Sequence, residues 1–335
     1  MEYRELGRTG LKISRMGFGG IPIQRIDAEG TKALMHRLME AGINYIDTAR
    51  GYTVSEEYLG YALEGIRDRF ILATKSMARD KDGMARDIET SLRNLRTGYI
   101  ELYQIHNPTL AQLEQVTDPG GALEALQEAK QAGKIGHIGI TAHSTEVFKA
   151  ALELSWVETV MFPYNIVETQ AESLIRACAK KGIGFIDMKP LAGGAIEDAT
   201  LAMRFVCANE DVTVTIPGMA EARELEQNLA AVSNTAPLTS EEMEAILAVR
   251  SDLGTNFCRR CNYCQPCTAG INISGAFLFE GYLSRYGLAE WAKGRYNTMS
   301  KFASDCIGCG ACEDRCPYHL PIRQMLKTVA EKFGK

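Results

Sequence analysis

Ten cysteines stand in this chain of 335 residues, and eight of them fall in two bursts after residue 257. The first burst is Cys258-x₂-Cys261-x₂-Cys264-x₂-Cys267, and the second is Cys306-x₂-Cys309-x₂-Cys312-x₃-Cys316-Pro317. Three thiolates at this spacing can wrap three corners of one iron–sulfur cubane, while a fourth, set off by a proline turn, reaches a neighbouring cluster. A structural zinc site wants two pairs divided by a longer loop instead. The spacing therefore predicts two [4Fe-4S] clusters held by the eight thiolates. Cys178 and Cys207 lie on helical stretches among Leu174, Ile175, Ala177 and Met203, Phe205, Val206, and read as small buried hydrophobes.

A second set of residues could move a proton. Asp47, Tyr52, Lys75 and His106 fall at or just beyond the carboxyl ends of apolar, β-rich runs. Singly, each has an ordinary reading: a solvated lysine, a structural histidine, an aspartate that caps the next helix. Together they make a proton donor for a carbonyl. A buried lysine lowers a phenol's pKa by Coulomb attraction, an aspartate keeps that lysine charged, and a histidine can orient the substrate oxygen beside the phenol.

The elements that must position these groups alternate between strand and helix. Tyr3–Leu6 and Leu11–Ser14 flank the glycine-bounded turn Gly7-Arg8-Thr9-Gly10 and predict an opening hairpin. Eight strands are then expected at Met16–Phe18, Ile43–Thr48, Phe70–Lys75, Ile100–His106, Ile135–Thr141, Thr159–Tyr164, Gly184–Lys189 and Val212–Pro217. Amphipathic helices are expected between them at 31–39, 54–63, 84–95, 122–132 and 171–180. Eight strand–helix units in 250 residues predict an α/β fold, a (β/α)8 TIM barrel, whose reactive side chains lie at the carboxyl ends of its strands. An open doubly wound sheet is the rival, but no G-x-G-x-x-G follows the first strand. Thr239-Ser240-Glu241-Glu242 reads as a capped helix start leading out of the barrel. The expected domains are thus a barrel over 1–250 and a small, mostly helical iron–sulfur domain over 251–335, with helical connectors at 274–300.

The first 250 residues resemble the aldo-keto reductase superfamily. The resemblance rests on the hairpin, Asp47-Thr48-Ala49 with Tyr52 and Glu56, Ala73-Thr74-Lys75, Gln104-Ile105-His106, Pro190-Leu191, and Ile216-Pro217-Gly218 leading to Asn228. The tail resembles a ferredoxin, and a barrel carrying such a tail resembles one subfamily. These resemblances imply carbonyl–alcohol interconversion with NAD(H) or NADP(H), with Tyr52 as general acid and Asp47, Lys75 and His106 in support. From ferredoxins, they also imply that Cys258, Cys261 and Cys264 share a cluster with Cys316, and Cys306, Cys309 and Cys312 with Cys267.

At the implied nucleotide site the chain departs from the family pattern. Thr141-Ala142 stands for Ser-Asn, Met161 for Gln, and Met188-Lys189 for the stacking tyrosine and its neighbour before Pro190, with Leu191 and Gly193 following. Gly218 replaces the usual lysine, and Glu224 takes the place of the 2′-phosphate arginine, with Arg223 one residue away. A carboxylate there repels that phosphate, so NAD(H) is expected over NADP(H). FMN is a lesser alternative, because barrel phosphate sites bind it without a fixed signature.

The function expected is an oxidoreductase acting on a small carbonyl or alcohol, its clusters exchanging single electrons with a carrier such as ferredoxin or flavodoxin. Two readings stay open beside it: clusters that are only structural or redox-sensing, and a flavin-assisted enzyme. A net charge of −5 without a basic run excludes a nucleic-acid role, and no apolar run is long enough for a membrane span. The polar start Met1–Glu5 lacks a secretory apolar stretch, and a cytoplasmic location is expected.

Overall fold

Runs such as Ile71–Ser76 and Ile135–Thr141 are apolar or small at nearly every position, the pattern of parallel strands covered on both faces. In the computed structural model, which describes residues 1–335, they do form such a sheet. A hairpin of β1 (Tyr3–Glu5) and antiparallel β2 (Lys12–Ser14) comes first. Eight parallel strands follow: β3 (Phe18–Gly19), β4 (Tyr45–Asp47), β5 (Ile71–Ser76), β6 (Ile100–His106), β7 (Ile135–Thr141), β8 (Thr159–Pro163), β9 (Gly184–Met188) and β10 (Val214–Ile216). Each pairs with the next in sequence. The ring closes through parallel bridges Met16↔Thr215 and Gly19↔Gly218, with the Gly19 amide donating to the Pro217 carbonyl at 3.0 Å.

The first barrel strand is displaced from the expected Met16–Phe18 to Phe18–Gly19. Glycine permits this, because a Cβ at Gly19 would sit 3.0 Å from the Ile216 carbonyl oxygen. The hairpin plugs the amino end of the barrel. Leu6 and Ile13 join Tyr45, Leu102, Ile186 and Val214 in its interior cluster, and Gly7, at φ 56°, lies where any Cβ would strike the backbone of Gly184. The carboxyl ends of the strands are therefore the end left for chemistry. Side-chain caps start several of the outer helices: Asp27 for Ala28–Glu40, Asp80 for Lys81–Asn94, Ser144 for Thr145–Ala151 and Asp198 for Ala199–Cys207.

The chain divides into two compact units, Met1–Pro190 with Asp198–Leu238, and Leu191–Glu197 with Thr239–Lys335. In the second, Thr239 and Glu242 form a reciprocal capping box that opens the helix Ser240–Gly254. Helices Ile273–Ser284, Ala289–Asn297 and Ile322–Phe333 follow. Their apolar faces meet at Ile273, Phe277, Leu326 and Val329, around Cys264, Cys312 and Cys316. Tyr296 stacks on Phe333 with centroids 4.0 Å apart, and its hydroxyl accepts from the Ala303 amide and donates to the Lys335 carbonyl. No helix is long and apolar enough to cross a membrane.

Candidate active site and cluster cavities

At the open end of the barrel, β4 and β5 bring Asp47 and Lys75 together. Both are about 2% exposed. Lys75 Nζ donates to Asp47 Oδ1, and also to the Thr48 carbonyl at 2.9 Å, while Gln104 Nε2 on β6 donates to Asp47 Oδ2 at 3.0 Å. Burial raises the Asp47 carboxyl and lowers the Lys75 ammonium from their ordinary values, and their mutual attraction opposes both shifts. Lys75 Nζ lies 4.9 Å from the centroid of the Tyr52 ring, and His106 meets that ring edge-on at 6.1 Å between centroids. The four residues expected to act together are thus brought together, with phenol and imidazole half-buried above a buried ion pair.

The loop carrying Tyr52 is tied down from below. Glu56, on the helix Ser55–Ala62, is buried and pairs with Arg50. Its carboxylate also accepts from Thr74 and Ser91, each at 2.8 Å. The Arg50 amide donates to the Lys75 carbonyl at 3.0 Å, so the segment either side of Tyr52 is anchored to β5. Two further contributors have little or no signal in the sequence. Gln104, which orients Asp47, was legible only as part of Gln104-Ile105-His106. Arg79, which donates to the His106 carbonyl at 2.7 Å, carries no sequence signal, because it is the pairing of β5 with β6 that brings the two together.

In the second unit, Cys258, Cys261, Cys264 and Cys316 line one cavity of about 320 Å³, with Phe277, Tyr318 and Leu320. Cys267, Cys306, Cys309 and Cys312 line another of about 330 Å³, with Thr268, Arg315 and Arg323. These are the two sets that the ferredoxin resemblance implies. No three Cys, His, Asp or Glu side chains gather closely enough for a single metal ion. Four sulfurs spread around a cavity suit a cluster, whose corners stand apart, better than one tetrahedral zinc. Burial, with the charge of Cys258 and Cys261 next, pushes the Cys264 thiol up to about 12. Cys178 is buried on the helix Glu172–Lys181 and Cys207 is partly buried.

Residues 15–201 match the Aldo/keto reductase family. The chain belongs to it. Residues 257–321 match a 4Fe-4S dicluster domain, so this aldo/keto reductase carries an iron–sulfur domain after its barrel. It is similar to L-galactose dehydrogenase of Arabidopsis thaliana, 28% identical over 304 residues that cover 74% of this chain and 94% of the relative. Aldo-keto reductase YhdN of Bacillus subtilis is 32% identical over 200 residues, covering 54% of this chain and 59% of YhdN. Among solved structures, the holo form of aldo-keto reductase AKR11C1 from Bacillus halodurans superposes with a TM-score of 0.64 at 27% identity, covering 74% of this chain and 96% of that one. The chain is an oxidoreductase of this family.

The positions that the resemblance implies for a nucleotide divide into two groups. Asn228 is buried, and its Oδ1 has no partner, an acceptor that fits a donor such as an adenine amino group. Glu224 is engaged by its own helix, accepting from the Ala220 amide at 2.6 Å and the Glu221 amide at 3.0 Å, with Arg25 at 3.5 Å. Gly218 packs against Pro22, which leaves no room for a side chain. At the other end the fit is poor. Met161 and Met188 are buried in the barrel's apolar interior and offer no strong hydrogen-bonding group to a carboxamide, while Thr141 Oγ1 already accepts from the Asn107 amide at 2.9 Å. Pro190 ends the first segment of the first unit; Leu191 and Gly193 fall in the second, where Arg285 Nε donates to the Gly193 carbonyl at 3.1 Å.

Proposed function

We propose that this enzyme interconverts a carbonyl and an alcohol, with Tyr52 giving and taking the proton on oxygen, and that its iron–sulfur domain links the reaction to an external one-electron carrier such as ferredoxin or flavodoxin. The observation that carries the reading is the buried Lys75–Asp47 pair directly beneath the Tyr52 ring, with His106 beside it.

In the reductive direction the carbonyl carbon takes a hydride equivalent, which a bound reduced nicotinamide would supply, and the carbonyl oxygen takes a proton. This chain's residues handle the proton that reaches oxygen. Tyr52 donates it, and the phenolate left behind is stabilised by the Lys75 ammonium in a dry setting where Coulomb terms are strong. Asp47, oriented by Gln104, keeps Lys75 charged despite its burial. His106 fixes the carbonyl oxygen at the phenol edge. The eight burst cysteines would hold two [4Fe-4S] clusters, which supply one-electron transfer when bound. Where a nucleotide takes part, the carboxylate of Glu224 and the bare Gly218 favour NAD(H) over NADP(H). Met161 and Met188, in place of a polar pair, offer no strong hydrogen bond to a carboxamide, which weakens the hold on a nicotinamide ring.

Tyr52→Phe tests the reading. Carbonyl turnover should fall by about 100-fold or more, the usual contribution of a positioned general acid. Visible cluster absorbance should be unchanged. Near-normal turnover in that variant would remove Tyr52 from the role.

A further inference from the structure

We propose that Lys189, oriented by His143, receives an oxyanion at the mouth of the barrel, so that the carbonyl substrate bears a carboxylate or a phosphate. The inference deepens the reading above and rests on its placement of the chemistry at this end of the barrel. Lys189 follows β9 directly, and its Nζ lies 3.1 Å from Nε2 of His143, beyond β7. His143 Nδ1 lies 3.2 Å from Oδ1 of Asn107, which follows His106 at the end of β6. An ammonium can only donate, so Nε2 is the acceptor and Nδ1 carries the proton given to Asn107. The imidazole therefore holds the lysine in place as a neutral partner.

The backbone has been bent to achieve this placement. Lys189 sits at φ 61° and Asn107 at φ 48°, in the left-handed region that ordinary side chains avoid. Buried Asn165 enforces the first by donating to the Lys189 carbonyl at 3.0 Å, and the Thr141 carbonyl and hydroxyl enforce the second through the Asn107 amide. The barrel unit has four such non-glycine residues, Thr53, Arg96, Asn107 and Lys189. Thr53 adjoins Tyr52 and Asn107 adjoins His106. Strain of this kind concentrates at functional sites, and here it sets Lys189 at the carboxyl end of β9, linked through His143 to Asn107, the residue after His106. In a chain of net charge −5, an anionic substrate needs a local cation to enter, and a lysine ammonium serves carboxylate and phosphate alike.

The test is calorimetric titration of the anaerobically prepared holoenzyme with lactate and with glycerol 3-phosphate, each against its uncharged counterpart, propane-1,2-diol and glycerol. At least one anion should bind about tenfold or more tightly than its counterpart, the scale of one charge-assisted hydrogen bond. Lactate preference alone identifies a carboxylate, and glycerol 3-phosphate preference alone a phosphate. Lys189→Met should abolish the preference with cluster absorbance and circular dichroism unchanged, Lys189→Arg should keep most of it, and Tyr52→Phe should leave it intact. Equal binding of charged and uncharged ligands to the wild type, or a preference that survives Lys189→Met, would overturn the proposal. Failure of the carbonyl reading would show separately, as normal turnover in Tyr52→Phe beside an intact anion preference.

Discussion

Replacing Lys75 by methionine should both stop turnover and unbalance the barrel. Lys75 and Asp47 are each almost wholly buried, and the carboxylate's two hydrogen bonds come from Lys75 and Gln104. Removing the ammonium leaves a buried carboxylate with one neutral donor, and breaking a buried pair in this way costs about 3–5 kcal/mol. The loss should depend on pH. Without Lys75 the folded-state pKa of Asp47, already raised by burial, rises further above its unfolded value of about 3.9. An acid whose folded pKa is raised loses stability as pH climbs from the unfolded pKa towards the folded one, by at most about 1.4 kcal/mol per pH unit. The deficit of Lys75→Met should thus be small in mild acid and grow towards neutrality. Urea titrations in a Trp291→Phe background would let Trp156 report on the barrel alone, because Trp156 lies in the first unit and Trp291 in the second. The double variant Asp47→Asn with Lys75→Met, which removes both charges, should recover most of the lost stability without recovering turnover. A single-variant loss under about 1 kcal/mol, or a double variant no more stable than the single one, would refute the argument that these two charges compensate each other.

Further predictions follow from the tail and the nucleotide positions. Cys316→Ala should destroy the cluster of Cys258, Cys261 and Cys264 and spare the other, whereas Cys267→Ala should do the reverse; each should leave about four irons per chain by metal analysis, and loss of the opposite cluster would break the assignment. Burial pushes the thiols of Cys178 and Cys207 up to about 12 and about 11, so iodoacetamide at about pH 8 should leave both unmodified in the folded protein by mass spectrometry. Prompt labelling of either would show that its helix is not packed as described. Fluorescence titration should find NADH bound more tightly than NADPH, and Glu224→Lys should narrow or reverse the difference; tighter NADPH binding by the wild type would point to Arg223 or Arg25 as the phosphate's partner.

The alternation of strand and helix was written in the chain, because parallel strands covered on both faces must be apolar throughout and each needs a helix to return. The same holds for the cysteine spacing, where covalent reach along a short loop decides which thiolates can share a cluster, and for the capping box at Thr239 and Glu242, which is satisfied within four residues. Asp47, Tyr52, Lys75 and His106 could be singled out because a barrel's strand ends are the positions that converge. Tertiary structure alone decided what depends on distance across the barrel: that Gln104 holds Asp47 from two strands away, that Glu56 collects Arg50, Thr74 and Ser91 beneath the Tyr52 loop, and that Lys189 meets His143 and Asn107. None of these contacts has a sequence period, since each joins residues from different strands or helices through side chains whose direction is set by local backbone angles. A left-handed lysine is the clearest case, because nothing in its neighbours' identities announces the bend; the hydrogen bond from Asn165, which enforces it, exists only once β8 and β9 have paired.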